Sequence, residues 1–292
     1  MSFCIMTDTS ANLPTSWLKE NSIAAVPFSY YIDGREYRCL DTALFDGHRF
    51  YSSIREGTKV TTSLISPSEY TEYFRPVVER GEDLLFISMS SGISGSFQAA
   101  RIAAINLCEE FPERSIMLVD SIGASLGEGF LAVKAEELRK KGKSIEETAA
   151  EIEKMKASMC QVFTVDDLMY LRSTGRLSNA KAVIGSVLNI KPLLKGDEEG
   201  RIVSFAKARG RQRSIEAVAA NYDRLVADAS EQTIGIAHAD CMEDVEYLCK
   251  LLRKNNPPKD ILIVDYEPVT GAHVGPGALA LFFFGSTEFR SE

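Results

Sequence analysis

Histidine is scarce in this chain. His48, His238 and His273 are the only three in 292 residues and lie far apart in sequence, which leaves a zinc site little to draw on. The six cysteines (Cys4, Cys39, Cys108, Cys160, Cys241, Cys249) are scattered and form no C-x-x-C pair. That excludes a disulfide framework and fits a reducing, cytoplasmic setting. Cys4, Cys108 and Cys249 sit in apolar patterns and read as small core residues. Basic charge is also short: 33 Lys and Arg face 41 Asp and Glu, a net charge of −8. A nucleic-acid partner, which wants a basic face, is not expected. The longest apolar run, Ala278–Phe284, is far shorter than a bilayer span, so no transmembrane segment is expected. The first residues, Met1 to Ser10, show neither a basic n-region nor an apolar h-region, so no secretory signal is expected. Neither a Walker loop nor a G-x-G-x-x-G fingerprint occurs, which counts against nucleotide binding.

What is present is an ordinary globular composition, 45% hydrophobic and 25% charged, at a length that suggests two domains. The stretch Ser88–Ala100 organises the reading. It follows a buried-strand run, Leu84–Ile87, and precedes a helical run from Phe97 to about Phe111. A strand, a loop of small hydroxyl residues and glycines, and then a helix make an anion site in α/β folds, because the first-turn amides lack partners and the dipole end is positive. Ser90, Ser91, Ser94 and Ser96 supply hydroxyls, and Gly92 and Gly95 permit close approach. The same residues also suit a plain cap and turn.

Read in order, Phe3–Met6 is a strand ending in the hydroxyl-rich loop Thr7–Ser10. Residues 24–30 alternate as one strand, turned by Asp33-Gly34, and residues 40–57 are loosely helical. Ser66, Pro67 and Glu69 form a capping box for a helix to about Arg80. That leaves Thr61, Thr62 and Ser63 without a structural task. Strand 115–119, helix 130–141 and a second capping box, Ser144 with Glu147, follow. This alternation predicts a parallel sheet covered on both faces. From Cys160 hairpins appear among the helices: a strand at 161–165, a helix over 179–187, strands at 190–194 and 202–209, helices at 213–227 and 243–253, and a glycine-rich loop at 271–277. The expected fold class is α/β with two domains: a three-layer α/β/α domain over 1–157 and a two-layer α/β domain with a mixed sheet over 158–292.

Loops after parallel strands share one sheet edge, so Thr7–Ser10, Thr61–Ser63 and Ser90–Ser96 are expected to converge. The second half supplies Arg172, Arg176, Lys191, Lys207 and Arg209 in or beside turns. A cleft lined by hydroxyls on one side and cations on the other suits a carboxylate or a phosphate. His273, set among Gly271, Gly275 and Gly277, can donate to such a group. Gly123–Gly127 spells G-x-S-x-G, the motif of a hydrolase elbow, but Ser125 stands five residues past Asp120 at the strand end, where an elbow serine would sit at once.

These residues together resemble the DegV family, whose studied members are fatty-acid-binding subunits of bacterial fatty acid kinase. Thr7–Pro14 resembles the family's T-D-S-T-A-D-L-P, Thr62–Pro67 its T-S-Q-P-S-P, and Ser90–Gln98 its S-S-x-L-S-G-T-Y-Q. Val119–Ser121, Gly175-Arg176, Asn189–Pro192 and Gly271–Leu279 continue the series over almost the whole chain. The resemblance implies a long-chain fatty acid such as palmitate as ligand, its chain buried and its carboxylate at the domain interface, held by Thr62 and Ser94. Ser63, Gly95, His273 and Arg172 fall to the secondary head-group positions, Arg172 by a looser match. Leu64-Ile65 for Gln-Pro and Ser96 for Thr depart from the pattern, and the first bears on loop shape and chain preference. The resemblance also implies a non-catalytic carrier that presents the carboxylate to a separate kinase subunit for acyl phosphate formation. No cofactor or metal is expected. Two further readings stand beside it: a serine esterase or thioesterase using Ser125 or Ser94 with His273, and a binding protein for a small polar anion.

Overall fold

The computed structural model describes residues 3–178 and 189–291; the helix expected over 179–187 lies outside the described residues. The chain divides into two compact units, Met1–Phe45 with Thr61–Lys156, and Asp46–Val60 with Ala157–Glu292.

In the first unit the elements are β1 (Phe3–Asp8), α1 (Thr15–Glu20), β2 (Ile23–Val26), β3 (Ser29–Ile32) and β4 (Arg35–Arg38). The chain then forms α2 (Gly47–Arg55) within the second unit. It returns as β5 (Val60–Ser63), α3 (Pro67–Glu79), β6 (Asp83–Ser88), α4 (Ser96–Glu110), β7 (Ile116–Asp120), α5 (Leu126–Lys140) and α6 (Ile145–Met155). Strands β2-β1-β6-β7 form a parallel sheet in that order. Every residue of β6 is buried, as a strand covered on both faces requires. Helices α3 and α4 pack together, as do α5 and α6, which completes the α/β/α layering. Both capping boxes form as the sequence predicts, Ser66 with Glu69 at α3 and Ser144 with Glu147 at α6.

The single strand expected over 24–30 is two strands in different sheets. Pro27 separates them, since it has no N–H to continue a ladder, and the amide of Phe28 turns to Thr9 Oγ1 at 3.0 Å. β3 and β4 form a hairpin on Asp33 and Gly34, both at positive φ (51° and 77°), as a type I′ turn needs. β5 joins this hairpin in a three-stranded sheet ordered β4-β3-β5.

The second unit holds β8 (Met159–Thr164), α7 (Leu168–Ser173), β9 (Ile190–Gly196), β10 (Ile202–Arg209), α8 (Arg211–Leu225), β11 (Thr233–His238), α9 (Met242–Asn255), β12 (Asp260–Asp265), α10 (Pro268–Val274) and β13 (Leu279–Phe284). Its sheet runs β10-β9-β8-β13-β11-β12, antiparallel except for the β11–β12 pair. Helices α8 and α9 pack on it through Val218, Tyr222, Leu248 and Leu252, all fully buried.

Residues 46–60 join this unit because α2 is bonded into it. Tyr51, fully buried, donates its phenol proton to the Tyr266 carbonyl at 2.6 Å, and Arg55 is ion-paired with Asp240. The stretch read as a glycine-rich loop over 271–277 is helical as far as Val274. The Glu267 carboxylate caps α10, accepting from Val269 N at 2.6 Å and Thr270 N at 2.5 Å, with Pro268 in the first turn. Among the described residues no helix is long and apolar enough to cross a membrane.

Candidate functional site

The first unit places the strongest candidates side by side. The loop from Met89 to Gly95 leaves the end of β6 and enters α4. It is built from its own hydroxyls: Ser90 Oγ accepts Gly92 N at 3.1 Å, and the amides of Ile93 and Ser94 both reach the Ser90 carbonyl at 3.2 Å. The Asp120 carboxylate accepts the Ser91 amide at 3.2 Å. Gly95 stands at the N-cap and offers no side chain, so Ser94 does the capping, with its Oγ accepting Ser96 N at 3.2 Å and donating to Ser96 Oγ at 3.0 Å. Ser90 and Ser96 are fully buried, whereas Ser94 is half-buried and Ser91 and Gly95 are exposed.

Thr61–Ser63 reaches this loop by a route the sequence does not show. These residues do not follow a strand of the parallel sheet; they lie in β5, in the separate three-stranded sheet. The turn after β5 meets the start of α4: Ile65 N donates to Ser96 Oγ at 3.4 Å, and a Leu64 methyl lies 3.4 Å from where a Cβ on Gly95 would sit. Thr62 and Ser63 are half-buried and Leu64 is 51% exposed. Two segments rich in hydroxyls therefore flank the N-terminus of a 15-residue helix, beside an exposed apolar side chain. Such a surface favours an anion with an apolar body.

Thr7–Ser10, the third expected loop, is sealed instead. Thr7, Asp8, Ser10 and Glu128 are all fully buried. Thr7 Oγ1 lies 2.6 Å from Glu128 Oε1, and Ser10 Oγ lies 2.7 Å from Glu128 Oε2 and closer still to Asp8 Oδ1. The amides of Ser10 (2.9 Å) and Met89 (3.2 Å) donate to Asp8. Burial pushes the Asp8 carboxyl up to about 6. It drives Glu128 well above the usual carboxylate range, with the charge of Asp8 adding to the effect. Gly129 makes this approach possible, since a Cβ there would lie 2.5 Å from the Ala11 carbonyl. Nothing in the local sequence singles out Glu128, because its partners are more than a hundred residues away.

Ser125 is also committed. It is 1% exposed, accepts the Asn12 side-chain amide at 3.1 Å, and precedes α5 with φ 54° and ψ −144°. The three histidines all belong to the second unit. Within its own unit Ser125 therefore has no imidazole base.

In the second unit His273 lies on α10. Tyr170 donates to the Ala272 carbonyl at 3.0 Å and Thr174 to that of His273 at 3.4 Å, which fixes α7 and the turn after it against α10. That turn carries Arg176, half-buried, with its guanidinium donating to the Thr174 carbonyl at 2.5 Å. Burial, and then the charge of Arg176, pull the His273 imidazole down to about 4. Burial likewise lowers Arg176. Arg172 is exposed on α7, so Arg176 is the cation facing His273. Lys191 is tied to Asp166 by an ion pair and by a 2.8 Å bond to its carbonyl, and Lys207 and Arg209 are exposed. A cleft of about 340 Å³ in this unit is lined by Arg55, Asp166, Tyr170, Gly275 and neighbours; neither His273 nor Arg176 lines it. Among the described residues no group of His, Cys, Asp and Glu is arranged to hold a metal ion.

An α/β/α unit with a hydroxyl-flanked helix start, joined to a mixed two-layer unit, defines the class: a two-domain α/β protein. A family model described as "Uncharacterised protein, DegV family" matches residues 2–286, and the chain belongs to the DegV family. It is 38% identical over 286 residues to a DegV domain-containing protein of Clostridium perfringens, covering 98% of both chains. Among solved structures it is similar to a fatty-acid-binding DegV family protein of Streptococcus agalactiae (28% identity, 98% and 99% of the two chains, TM-score 0.86). It is also similar to one of Thermus thermophilus, likewise solved for its fatty acid binding (27%, 98% and 100%, 0.85). A Ruminococcus gnavus family member with vaccenic acid matches at 25% identity over 97% and 99% of the two chains, with a TM-score of 0.86.

Proposed function

We propose that this protein binds a long-chain fatty acid, with Thr62 and Ser94 holding the carboxylate and Ser63 and Gly95 beside them. The observation that carries the reading is the meeting of the Thr62–Ile65 turn with Ser94–Ser96 at the start of α4, with Leu64 exposed in the same turn. Fatty-acid-binding relatives aligned over nearly the whole chain support it. The family resemblance gives His273 and Arg172 secondary head-group roles; within the second unit the cation facing His273 is the half-buried Arg176, and Arg172 is exposed. The energetics suit a carrier. Each buried methylene contributes roughly 0.8 kcal/mol, so about fourteen give on the order of 11 kcal/mol gross, from which association entropy removes several. The hydroxyls then fix orientation and replace the water bonds a buried carboxylate loses.

The finer step rests on the family resemblance. The bound carboxylate is presented to a separate kinase, where a carboxylate oxygen attacks the γ-phosphorus of ATP, ADP leaves, and an acyl phosphate forms in the cytoplasm. No cofactor of this chain takes part. Mass spectrometry of lipid extracted from the denatured, purified protein tests the binding: a stoichiometric fatty acid is expected, and an extract empty even after incubation with palmitate overturns it. Hydroxylamine trapping of acyl phosphate, with and without this protein beside an ATP-dependent fatty acid kinase, tests the presentation step.

A further inference from the structure

The buried cluster under the head-group loop does not balance with both carboxyls ionised. Ser10 Oγ touches Asp8 Oδ1 and Glu128 Oε2, the latter at 2.7 Å. One hydroxyl has one hydrogen and can serve only one of them. If both carboxyls were anions, a lone pair of Ser10 would face a carboxylate oxygen at hydrogen-bond distance with no proton between them, in a site where all the side chains are fully buried. One added proton resolves both contacts, and the surroundings say where it sits. Asp8 accepts two backbone amides, from Ser10 at 2.9 Å and from Met89 at 3.2 Å, which favours its charged form. Glu128 accepts the Thr7 hydroxyl at 2.6 Å and a single backbone amide, that of Asp8, and it faces the charge of Asp8, which outweighs either bond. The N-terminus of α5 pulls the other way, but a helix end is a weaker influence than a second buried charge one oxygen away. The phenol of Tyr70 on α3, fully buried, faces the same two carboxyls, and its own ionisation is pushed well above the usual range, so it stays neutral beside them.

We infer that Glu128 is held as a neutral carboxylic acid donating to Ser10, that Ser10 donates to Asp8, and that Asp8 as the remaining anion pins the amide of Met89. Met89 is the first residue after β6 and opens the loop that presents Ser94 and Gly95. Asp8 is thus the positioning residue, acting through the backbone of that loop, while Glu128 completes the buried cluster as a neutral donor that glutamine can replace. Burial raises both carboxyls, the direction that one retained proton requires. This last link to Ser94 rests on the fatty-acid reading; the protonation itself does not.

The test begins on wild-type protein stripped of lipid. Infrared spectra at neutral pH should show the C=O stretch of a protonated carboxylic acid, shifted by carboxyl-13C-glutamate labelling and not by carboxyl-13C-aspartate. No such band, or a band that moves with aspartate, overturns the assignment without any variant. Glu128→Gln should remove the band and leave hydrogen exchange at Met89 near the wild-type rate. Asp8→Asn should speed that exchange by at least about tenfold, the loss of one bond to a charged acceptor. Equal exchange in the two variants overturns the pinning. Palmitate titration then addresses the loop: Asp8→Asn should weaken binding and Glu128→Gln should not. A protein that binds no palmitate at all sinks the fatty-acid reading and leaves the infrared result standing. Weakened binding in Glu128→Gln but not in Asp8→Asn overturns the positioning role.

Discussion

Tyr51 donates its phenol proton to the carbonyl of Tyr266 at 2.6 Å, from a helix that sits 215 residues earlier in the chain. The same phenol lies over Gly271, where an added Cβ would come within 2.1 Å of the Tyr51 oxygen. Gly271 is therefore a matter of space rather than of backbone freedom. Gly271→Ala should destabilise the protein by roughly 1–3 kcal/mol through overpacking. Tyr51→Phe should cost about 1–3 kcal/mol by leaving a buried carbonyl without its donor. The double variant should cost less than the sum, because removing the hydroxyl clears the nearest atom and leaves only the ring Cζ, at 2.9 Å, for the new methyl group to press on. Urea denaturation of the four proteins measures the coupling, and simple additivity would refute the contact.

A second prediction separates strain from hydrogen bonding at Ser125. Its φ of 54° with ψ −144° belongs to a region that glycine alone enters freely. Ser125→Ala and Ser125→Gly both lose the bond from Asn12. Only the glycine relieves the backbone, so it should be more stable than the alanine variant by about 1–2 kcal/mol. Neither should change ester or thioester hydrolysis, which should stay at background. Turnover that Ser125→Ala abolishes would restore the hydrolase reading.

His273 gives a pH signature. Its imidazole is lowered from 6.5 to about 4, first by burial and then by Arg176. Between these values the unfolded chain binds a proton that the folded protein refuses, so stability rises with pH. The contribution is fully present above about 6.5 and is lost as pH falls toward 4, up to roughly 3 kcal/mol in all. His273→Asn should flatten that limb in denaturation midpoints taken from pH 7 to 4. Arg176→Gln should raise the His273 titration midpoint followed by NMR. An unshifted midpoint would mean that the two side chains do not feel each other.

These relationships differ in how visible they are in the sequence. The capping boxes at Ser66 and Ser144 are legible because every partner lies within three residues. The layering follows from strand and helix alternation for the same local reason. Pro27 marks the break between β2 and β3, and Glu267-Pro268 the start of α10; both signals are present, but alternation across Pro27 and the glycines after 270 mask them. What is not legible is long-range. Nothing near Tyr51 says that residues 46–60 belong with Tyr266. Nothing near Asp8 names Glu128, and only burial distinguishes Arg176 from Arg172. The sequence pairs the Thr62 turn with Ser94 through a shared sheet edge, but the pairing arises instead from a separate small sheet whose turn packs on α4.

The head-group assignment yields the most direct prediction. Thr62→Ala and Ser94→Ala should each weaken fatty-acid binding, since a carboxylate removed from water must recover its hydrogen bonds from protein. One lost bond to a charged group costs roughly 1.5–3 kcal/mol, somewhat over tenfold and up to about a hundredfold in affinity. The two side chains differ in what else they do. Ser94 also caps α4 through the Ser96 amide, so Ser94→Ala should cost about 1 kcal/mol of folding stability as well. Thr62 lies within β5 and caps no helix. Because both hydroxyls would serve one carboxylate, the double variant should fall short of additivity. A fatty alcohol of equal length carries no charge and should lose most of its sensitivity to either change. Titration of wild type and variants with palmitate and hexadecanol, beside denaturation of each, reads all of these at once. If both single variants bind palmitate as tightly as wild type, the carboxylate is held elsewhere, and Arg176 with His273 becomes the pair to test.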